Sequence, residues 1–142
     1  MPQDPDSTTR RIAASFAKQG LMDHLGARLG HVGRGVAHIH LPMRPEVTQQ
    51  HGYFHGGATA TIADNAGGYA ALTMFDDDSE VLTVELKINL LAPAAGEELE
   101  AIGTVLKTGR TLTVCRIDVH AHHGGETKLV AAGQQTLIRV AR

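Results

Sequence analysis

A long run of small and apolar residues, 56–74, constrains the fold of this chain most strongly. Glycine and alanine recur throughout the run, and only Gly67-Gly68 weakens its helix propensity, by about 1 kcal/mol per glycine relative to alanine. Small side chains on most faces let neighbouring backbones approach closely. The pattern therefore predicts one long helix over 56–74 that is wrapped by a sheet.

Strand patterns follow this helix. Leu82, Val84, Leu86, Ile88 and Leu90 alternate with polar residues, which is typical of a half-buried strand. The four predicted strands are 80–91, 97–106, 111–121 and 127–140. Their connections are short and rich in turn residues, so we expect strands that follow one another to pair in antiparallel fashion.

Upstream of the helix, residues 27–41 are predicted to form one strand with a bulge or bend at its glycines. Residues 8–25 are predicted to be an N-terminal helical segment capped by Ser7 or Thr8, and 1–7 a flexible lead. The whole chain, 1–142, is thus predicted to be a single α+β domain. One long central helix is wrapped by a curved five-stranded antiparallel sheet.

Composition narrows the function classes. The net charge of −2 and the scattered basic residues argue against a nucleic-acid partner. Cys115 is the only cysteine, so no intrachain disulfide is possible and a reducing compartment is expected. The N-terminus has acids and prolines where a signal peptide needs an apolar run, and no stretch is typical of a membrane span. We therefore expect a cytoplasmic protein with no membrane partner.

Asp64 is the only carboxylate or other formally charged side chain in residues 51–75. Removing an ionised carboxylate from water costs several kcal/mol unless it is paired or hydrogen-bonded. His55-Gly56-Gly57 precedes it and is predicted to leave backbone N–H groups of the helix N-terminus uncovered. A buried acid near such donors indicates catalysis. The alternatives are a structural acid that caps a loop and a glycine pair that serves close packing.

A metal site is not expected. His51 and His55 are four residues apart and, with Asp64, resemble a ligand set. The loop-like sequence around Gly52 argues against a helix there, and no HExxH motif is present. We predict no metal and no organic cofactor.

The motifs together resemble the hotdog-fold acyl-CoA thioesterases, in particular the phenylacetate-degradation (PaaI-like) branch. The resemblance covers about residues 12–140. Its motifs are QQHGYFHGG at 49–57, ADNAGGYAA at 63–71, TVELKINLLAPA at 83–94, KTGRT at 107–111 and the closing AAGQQT. The combination of HGG, an acid nine residues after its histidine and this order of elements is specific, whereas HGG alone is weak.

The resemblance implies roles for five residues. The backbone N–H of Gly56 donates to the thioester oxygen, and Asp64 is the nucleophile or general base. Gln49 stands where the family often has an asparagine that orients water or substrate. Thr83 stands at the position of an assisting hydroxyl, and His55 braces the loop.

Further residues are predicted on the substrate side. Lys107 and Arg110 flank a turn, and a pair of cations suits the phosphates of coenzyme A. The other predicted substrate-binding residues are Gln50, Gly57, Tyr53, Phe54 and Asn65. The acyl group itself stays open between aryl-acetyl, medium-chain and hydroxylated aromatic groups.

Helix geometry predicts an assembly. Gly56 and Asp64 are eight residues apart, about 12 Å along a helix axis, whereas reacting atoms must approach to about 3–3.5 Å. The simplest solution pairs Gly56 of one subunit with Asp64 of another across a two-fold interface. The resemblance implies the same arrangement, as a homodimer or a homotetramer.

Two other functions remain open. A hotdog acyl-CoA hydratase or dehydratase is one, although its histidine motif HxxxxPGxP is missing here. A non-catalytic acyl-CoA-binding protein is the other. An acyl-CoA thioesterase accounts best for the Gly56–Asp64 spacing.

Overall fold

A computed structural model describes residues 4–142, in which helices precede and interrupt one antiparallel sheet. The helices are α1 (Pro5–Phe16), α2 (Gly20–Leu25) and α3 (Gly56–Leu72). The strands are β1 (Arg28–Gly33), β2 (Val36–Pro42), β3 (Ser79–Leu90), β4 (Glu98–Thr108), β5 (Leu112–His123) and β6 (Glu126–Ala141). A single 3-10 turn, Pro45–Val47, lies between β2 and α3. The predicted hotdog arrangement of one long helix against a curved sheet is confirmed.

Helix α3 is the centre of the core. Ala63, Ala66 and Ala70 on this helix are fully buried against the sheet. The contact is so close that a Cβ atom on Gly103 of β4 would lie 2.5 Å from the backbone of Ala66. Small residues on both elements are therefore required for this packing. The helix ends at Leu72, two residues before the predicted end.

The sheet order is β1-β2-β4-β5-β6-β3, with every pair antiparallel. β3 pairs with β6 and lies at an edge of the sheet, so the expectation that β3 pairs with the next strand, β4, was wrong. The reason is that alternation determines which face a side chain occupies but not which strand becomes the neighbour.

The prediction of one strand over 27–41 was also wrong. This segment is a hairpin in which Gly33 pairs with Val36 around a turn at Arg34 and Gly35. A bulge is present as well, between Leu29 and Val32. The sheet therefore has six strands and not five. Gly35, one of the glycines that predicted a bend, lies in the turn of this hairpin.

The N-terminal segment comprises two helices. α1 begins at Pro5, where the Asp4 side chain accepts a hydrogen bond from the Asp6 N–H, so residues 5–7 are helical and the cap is not Ser7 or Thr8. The rest of the predicted lead, 1–3, lies outside the described residues. From α1, the Arg11 guanidinium donates to carbonyls at the end of α3, including that of Leu72 at 2.9 Å. This contact satisfies helix-end acceptors and fixes α1 against the core.

None of the helices within residues 4–142 combines the length and the apolar character that crossing a lipid bilayer requires.

Candidate active site

The first turn of α3 presents a free backbone donor. His55 is the N-cap, and its Nδ1 accepts a hydrogen bond from the Gly57 N–H at 2.8 Å. The His55 N–H in turn donates to the Val47 carbonyl at 2.8 Å. No hydrogen bond within residues 4–142 engages the Gly56 N–H. Of the two predicted glycines, Gly56 therefore keeps its donor available, while the donor of Gly57 is used by His55.

Gln49 organises the loop in front of this helix. Its Oε1 accepts from the backbone N–H groups of His51 at 2.6 Å and Tyr53 at 3.3 Å. The Gln49 N–H also donates to the Tyr53 carbonyl at 2.9 Å. Because the side-chain oxygen is used within the loop, only the amide NH₂ is left to face a ligand.

A pocket of about 490 Å³ opens beside Gly56. Gln49, Tyr53 and Phe54 line it, together with residues from the end of β3 and the segment that follows. Phe54 is buried and Tyr53 is half-exposed. Gln50, predicted at the same place, is exposed and does not contribute to this lining. Gly57 lies on a neighbouring concavity that it shares with His55.

Asp64 is held by the sheet on one oxygen and is free on the other. Thr83 on β3 donates its hydroxyl to Asp64 Oδ1 at 2.7 Å. No hydrogen bond to Asp64 Oδ2 occurs in the described part of the chain. The expectation of a buried acid is met only in part in the single chain, in which Asp64 is half-buried.

Gln135 on β6 is a part of this arrangement that sequence reasoning missed. Its Nε2 lies 2.5 Å from Asp64 Oδ1, 2.8 Å from Thr83 Oγ1 and 3.0 Å from the Asp64 carbonyl. The side chain is 1% exposed. A signal was present, because the alternation of β6 places Gln135 among inward-facing residues such as Leu137, where a polar side chain needs a specific partner.

Gly67 makes room for Gln135. A Cβ atom at Gly67 would overlap Gln135 Oε1, whereas one at Gly68 would meet only Leu137 Cδ2, at an ordinary 3.9 Å. Gly67 lowers the helix propensity, but its missing side chain leaves the space that the Gln135 amide needs to reach Asp64. Gln135 Oε1 is buried and has no hydrogen-bond partner among residues 4–142.

In one chain, the two halves of the predicted site do not meet. Asp64 and Thr83 line a pocket of about 200 Å³, and no residue of that pocket also lines the pocket at Gly56 and Gln49. Helix α3 runs without interruption between Gly56 and Asp64, which separates them by about 12 Å along its axis. A larger pocket, of about 660 Å³, lies between α1, the β1–β2 turn and the end of α3, and none of the predicted site residues lines it.

The remaining predicted contacts differ in their surroundings. Asn65 lines the Asp64 pocket and donates to Gln19 Oε1 at 2.9 Å. Lys107 and Arg110 lie exposed at the β4–β5 turn and line neither of the two site pockets. This turn lies at the Thr83 end of the sheet, because Leu112 and Leu82 both pair with Ile138.

Within residues 4–142, no group of three or more His, Cys, Asp or Glu side chains is arranged as a metal site. Burial raises the pKa of the Cys115 thiol to about 12, so this cysteine is not ionised near neutral pH and is unsuited to be a nucleophile. Asp64 is the acid that combines a fixed position with a free oxygen and an adjoining pocket.

Comparison with known proteins decides the family. The model of the thioesterase superfamily matches residues 51–128, which contain both Gly56 and Asp64. The chain belongs to the thioesterase superfamily. Human acyl-coenzyme A thioesterase 13 is 33% identical over 97 residues, which are 68% of this chain and 67% of that protein. The chain is thus an enzyme of this superfamily, whose members include proteins named as acyl-CoA thioesterases, and the resemblance to the hotdog-fold thioesterases is confirmed.

Solved structures agree with the fold of this thioesterase. A thioesterase family protein from Silicibacter pomeroyi superposes with a TM-score of 0.92 at 38% identity, covering 95% of this chain and 99% of that one. The E. coli PaaI protein from the phenylacetic acid degradation operon gives a TM-score of 0.86 at 21% identity, covering 96% of each chain. The second likeness concerns the fold alone.

Proposed function

We propose that this protein hydrolyses an aryl-acyl or medium-chain acyl-CoA to the free acid and coenzyme A, with Asp64 as nucleophile or general base. The observation that carries the proposal is the Asp64 carboxylate, whose Oδ1 is fixed by Thr83 and Gln135 while Oδ2 is free beside a pocket. A carboxylate held in this way has one oxygen oriented for attack or for proton removal.

The backbone N–H of Gly56 supplies the partial positive charge that faces the developing oxyanion. Its free N–H lies at the N-terminus of a long helix, which carries roughly half a positive charge. An oxyanion that forms on the thioester carbonyl is stabilised there, and losing one such donor typically costs about 100–1000-fold in rate. Gln49 adds its amide NH₂ at the same pocket, where it orients the thioester or the water.

The active unit is a homodimer, in which Gly56 of one subunit faces Asp64 of the other. β3, which carries Thr83, is a twelve-residue edge strand with exposed Leu82, Val84 and Leu90, more than half of each being accessible. A long apolar edge strand favours pairing with a second strand. Pairing of β3 with its symmetry copy is the interface we propose, and two such dimers then form a homotetramer.

Two routes of hydrolysis share these groups. In the general-base route, Asp64 Oδ2 removes a proton from water, and the water oxygen forms the new bond to the thioester carbon. In the nucleophilic route, Oδ2 forms that bond first, and water then cleaves the resulting anhydride. In both, the carbon–sulfur bond breaks, and the CoA thiolate leaves and is protonated.

A thiol-release assay with aryl-acyl and medium-chain acyl-CoAs tests the proposal. We expect free CoA to appear with wild-type protein, unaffected by EDTA, and to disappear with Asp64→Asn. A hydratase would instead change the acyl group while the thioester stays intact, and a binding protein would release nothing. A single turnover in ¹⁸O-water tests the nucleophilic route. When water attacks the aspartyl carbon of the anhydride, ¹⁸O enters the Asp64 carboxylate and the original Oδ2 leaves with the acid, which never happens in the general-base route.

A further inference from the structure

Two adjacent glutamines on β6, Gln134 and Gln135, face opposite sides of the sheet. Gln134 is exposed, and its side chain makes no hydrogen bond within residues 4–142. Gln135 is 1% exposed and faces α3, where Gly67 leaves room for its amide. Because burying an amide is costly without specific partners, the contacts of Gln135 indicate what it does.

The Gln135 amide orders the protons around Asp64. Its Nε2 carries two protons and lies within hydrogen-bond distance of three acceptors, which are Asp64 Oδ1, the Asp64 carbonyl and Thr83 Oγ1. Thr83 Oγ1 accepts from Gln135 at 2.8 Å, so the single hydroxyl proton of Thr83 is directed to Asp64 Oδ1. Both side chains therefore donate to the same carboxylate oxygen.

The orientation of the amide is fixed although its oxygen is unpaired. In the reversed orientation, Gln135 Oε1 would face the carboxylate and the carbonyl of Asp64, neither of which has a proton to donate when the acid is ionised. The observed orientation leaves Oε1 buried without a partner among the described residues, which lowers stability. The chain accepts this cost and keeps both donors on Asp64.

We propose that Gln135 is a positioning residue of the hydrolysis, which directs the Thr83 proton to Asp64 Oδ1 and so holds Oδ2 in the orientation for reaction. The inference rests on the proposed function and deepens it. Gln135 does not line the Asp64 pocket, so it acts through Asp64 and Thr83. A displacement of about 1 Å at a reacting group can cost about 100-fold in rate.

Gln135→Met tests the role, because methionine keeps the length of the side chain and removes both donors. With the acyl-CoA that the wild-type protein hydrolyses fastest, we expect kcat to fall by about 10- to 100-fold and KM to change by less than about threefold. Gln134→Met is the matched control on the exposed face and should keep the wild-type kcat. A merely structural role predicts the reverse for Gln135→Met, a lowered melting temperature with kcat near wild type.

Gln135→Glu adds a pH profile that a merely structural role would not move. While the introduced carboxyl group holds a proton, it donates to Asp64 Oδ1 as the amide does. Once that proton is lost, two carboxylates face each other at hydrogen-bond distance. We expect kcat of this variant to fall by about tenfold for each pH unit above the ionisation, a limb that wild type and Gln134→Glu should lack.

The neighbouring titratable groups are the same in all of these proteins. Glu80 lines the Asp64 pocket and pairs with Arg142 at 3.6 Å, and Tyr69 lines the same pocket. Cys115 is the partner of Gln135 on β5, and burial raises the pKa of its thiol to about 12. Their contributions therefore cancel when the two glutamate variants are compared.

Each failure has its own meaning. If Gln135→Met turns over at the wild-type rate, or if Gln135→Glu follows the pH profile of Gln134→Glu, the positioning role is overturned while the thioesterase proposal stands. If Gln135→Met does not fold, Gln135→Glu decides alone, because glutamate keeps the shape of the glutamine side chain. No CoA release by the wild-type protein from any acyl-CoA would overturn the proposed function and this inference together.

Discussion

Thr83 donates its hydroxyl proton to Asp64 Oδ1 at 2.7 Å, although one residue lies on the edge strand β3 and the other on the central helix α3. The contact places the carboxylate next to β3, which is an edge strand. β3 pairs with β6 on one side and has no strand partner on the other among the described residues. Because Oδ1 is occupied by Thr83 and Gln135, Oδ2 is the oxygen that remains for chemistry.

Replacing Asp64 with asparagine should lower kcat by at least about 100-fold, because the positioned base or nucleophile is removed. The substitution keeps the shape and the contact with Thr83, so we expect an intact fold and a melting temperature equal to or above that of wild type. Circular dichroism and the thiol-release assay measure the two effects. Retained turnover in a folded preparation would mean that another residue performs the chemistry.

Gln49→Ala should lower turnover by about 10- to 100-fold, because an orienting amide adjusts geometry and does not make the new bond. This loss is smaller than the one expected on removing Asp64. Part of the effect will come from the loop, since Gln49 Oε1 accepts from the backbone of His51 and Tyr53. Gln49→Asn should be partly active. If Gln49→Ala hydrolyses the substrate at the wild-type rate, Gln50 or Thr83 positions the water instead.

The two adjacent helix glycines should respond in opposite ways to alanine. Gly67→Ala places a methyl group where Gln135 Oε1 lies, so Gln135 must move and its hydrogen bonds to Asp64 and Thr83 are lost. We expect a destabilisation of about 1–3 kcal/mol, typical of a disrupted buried polar group, together with reduced kcat.

Gly68→Ala is the matched stability control. Its methyl group meets Leu137 at an ordinary 3.9 Å, and alanine in a helix interior gains about 0.5–1 kcal/mol over glycine. Thermal melts of the two variants should therefore shift to opposite sides of wild type. Equal shifts of the same sign would refute the specific requirement for glycine at 67.

Subunit complementation tests the composite site. Asp64→Ala removes the acid, and Gly56→Pro removes the donating N–H. In a mixed dimer, one site carries both lesions and the other carries neither. About half of the dimers in an equal mixture are mixed and each has one intact site, so activity should recover to about one quarter of wild type.

Two controls make the complementation decisive. Exchange of subunits must be demonstrated, for example with differently tagged chains, and Gly56→Pro must melt cooperatively by itself. If exchange is complete and activity does not return, each site is built within one chain. That outcome would contradict the proposed pairing of Gly56 and Asp64 across subunits.

The sequence contained much of the site because its signals are local. A helix N-cap, a run of small residues and an isolated acid at 64 are all readable within one segment, and they indicated α3, Gly56 and Asp64. Gln135 was not recognised because its partner lies 71 residues away on α3. Only the pairing of β6 with β3 brings Gln135 and Thr83 to the same carboxylate.

The sequence by itself determined the long helix and the four downstream strands, since periodicity and small-residue spacing distinguish a helix from a strand. It did not determine burial in β3, where Leu82, Val84 and Leu90 are exposed. The tertiary structure decided which strands are neighbours, that 27–41 is a hairpin, and that β3 lies at the edge. Strand order depends on which hydrophobic faces and backbone edges meet after collapse, and alternation carries no information about that choice. The position of the Asp64 carboxylate, held between two strands, follows from that order.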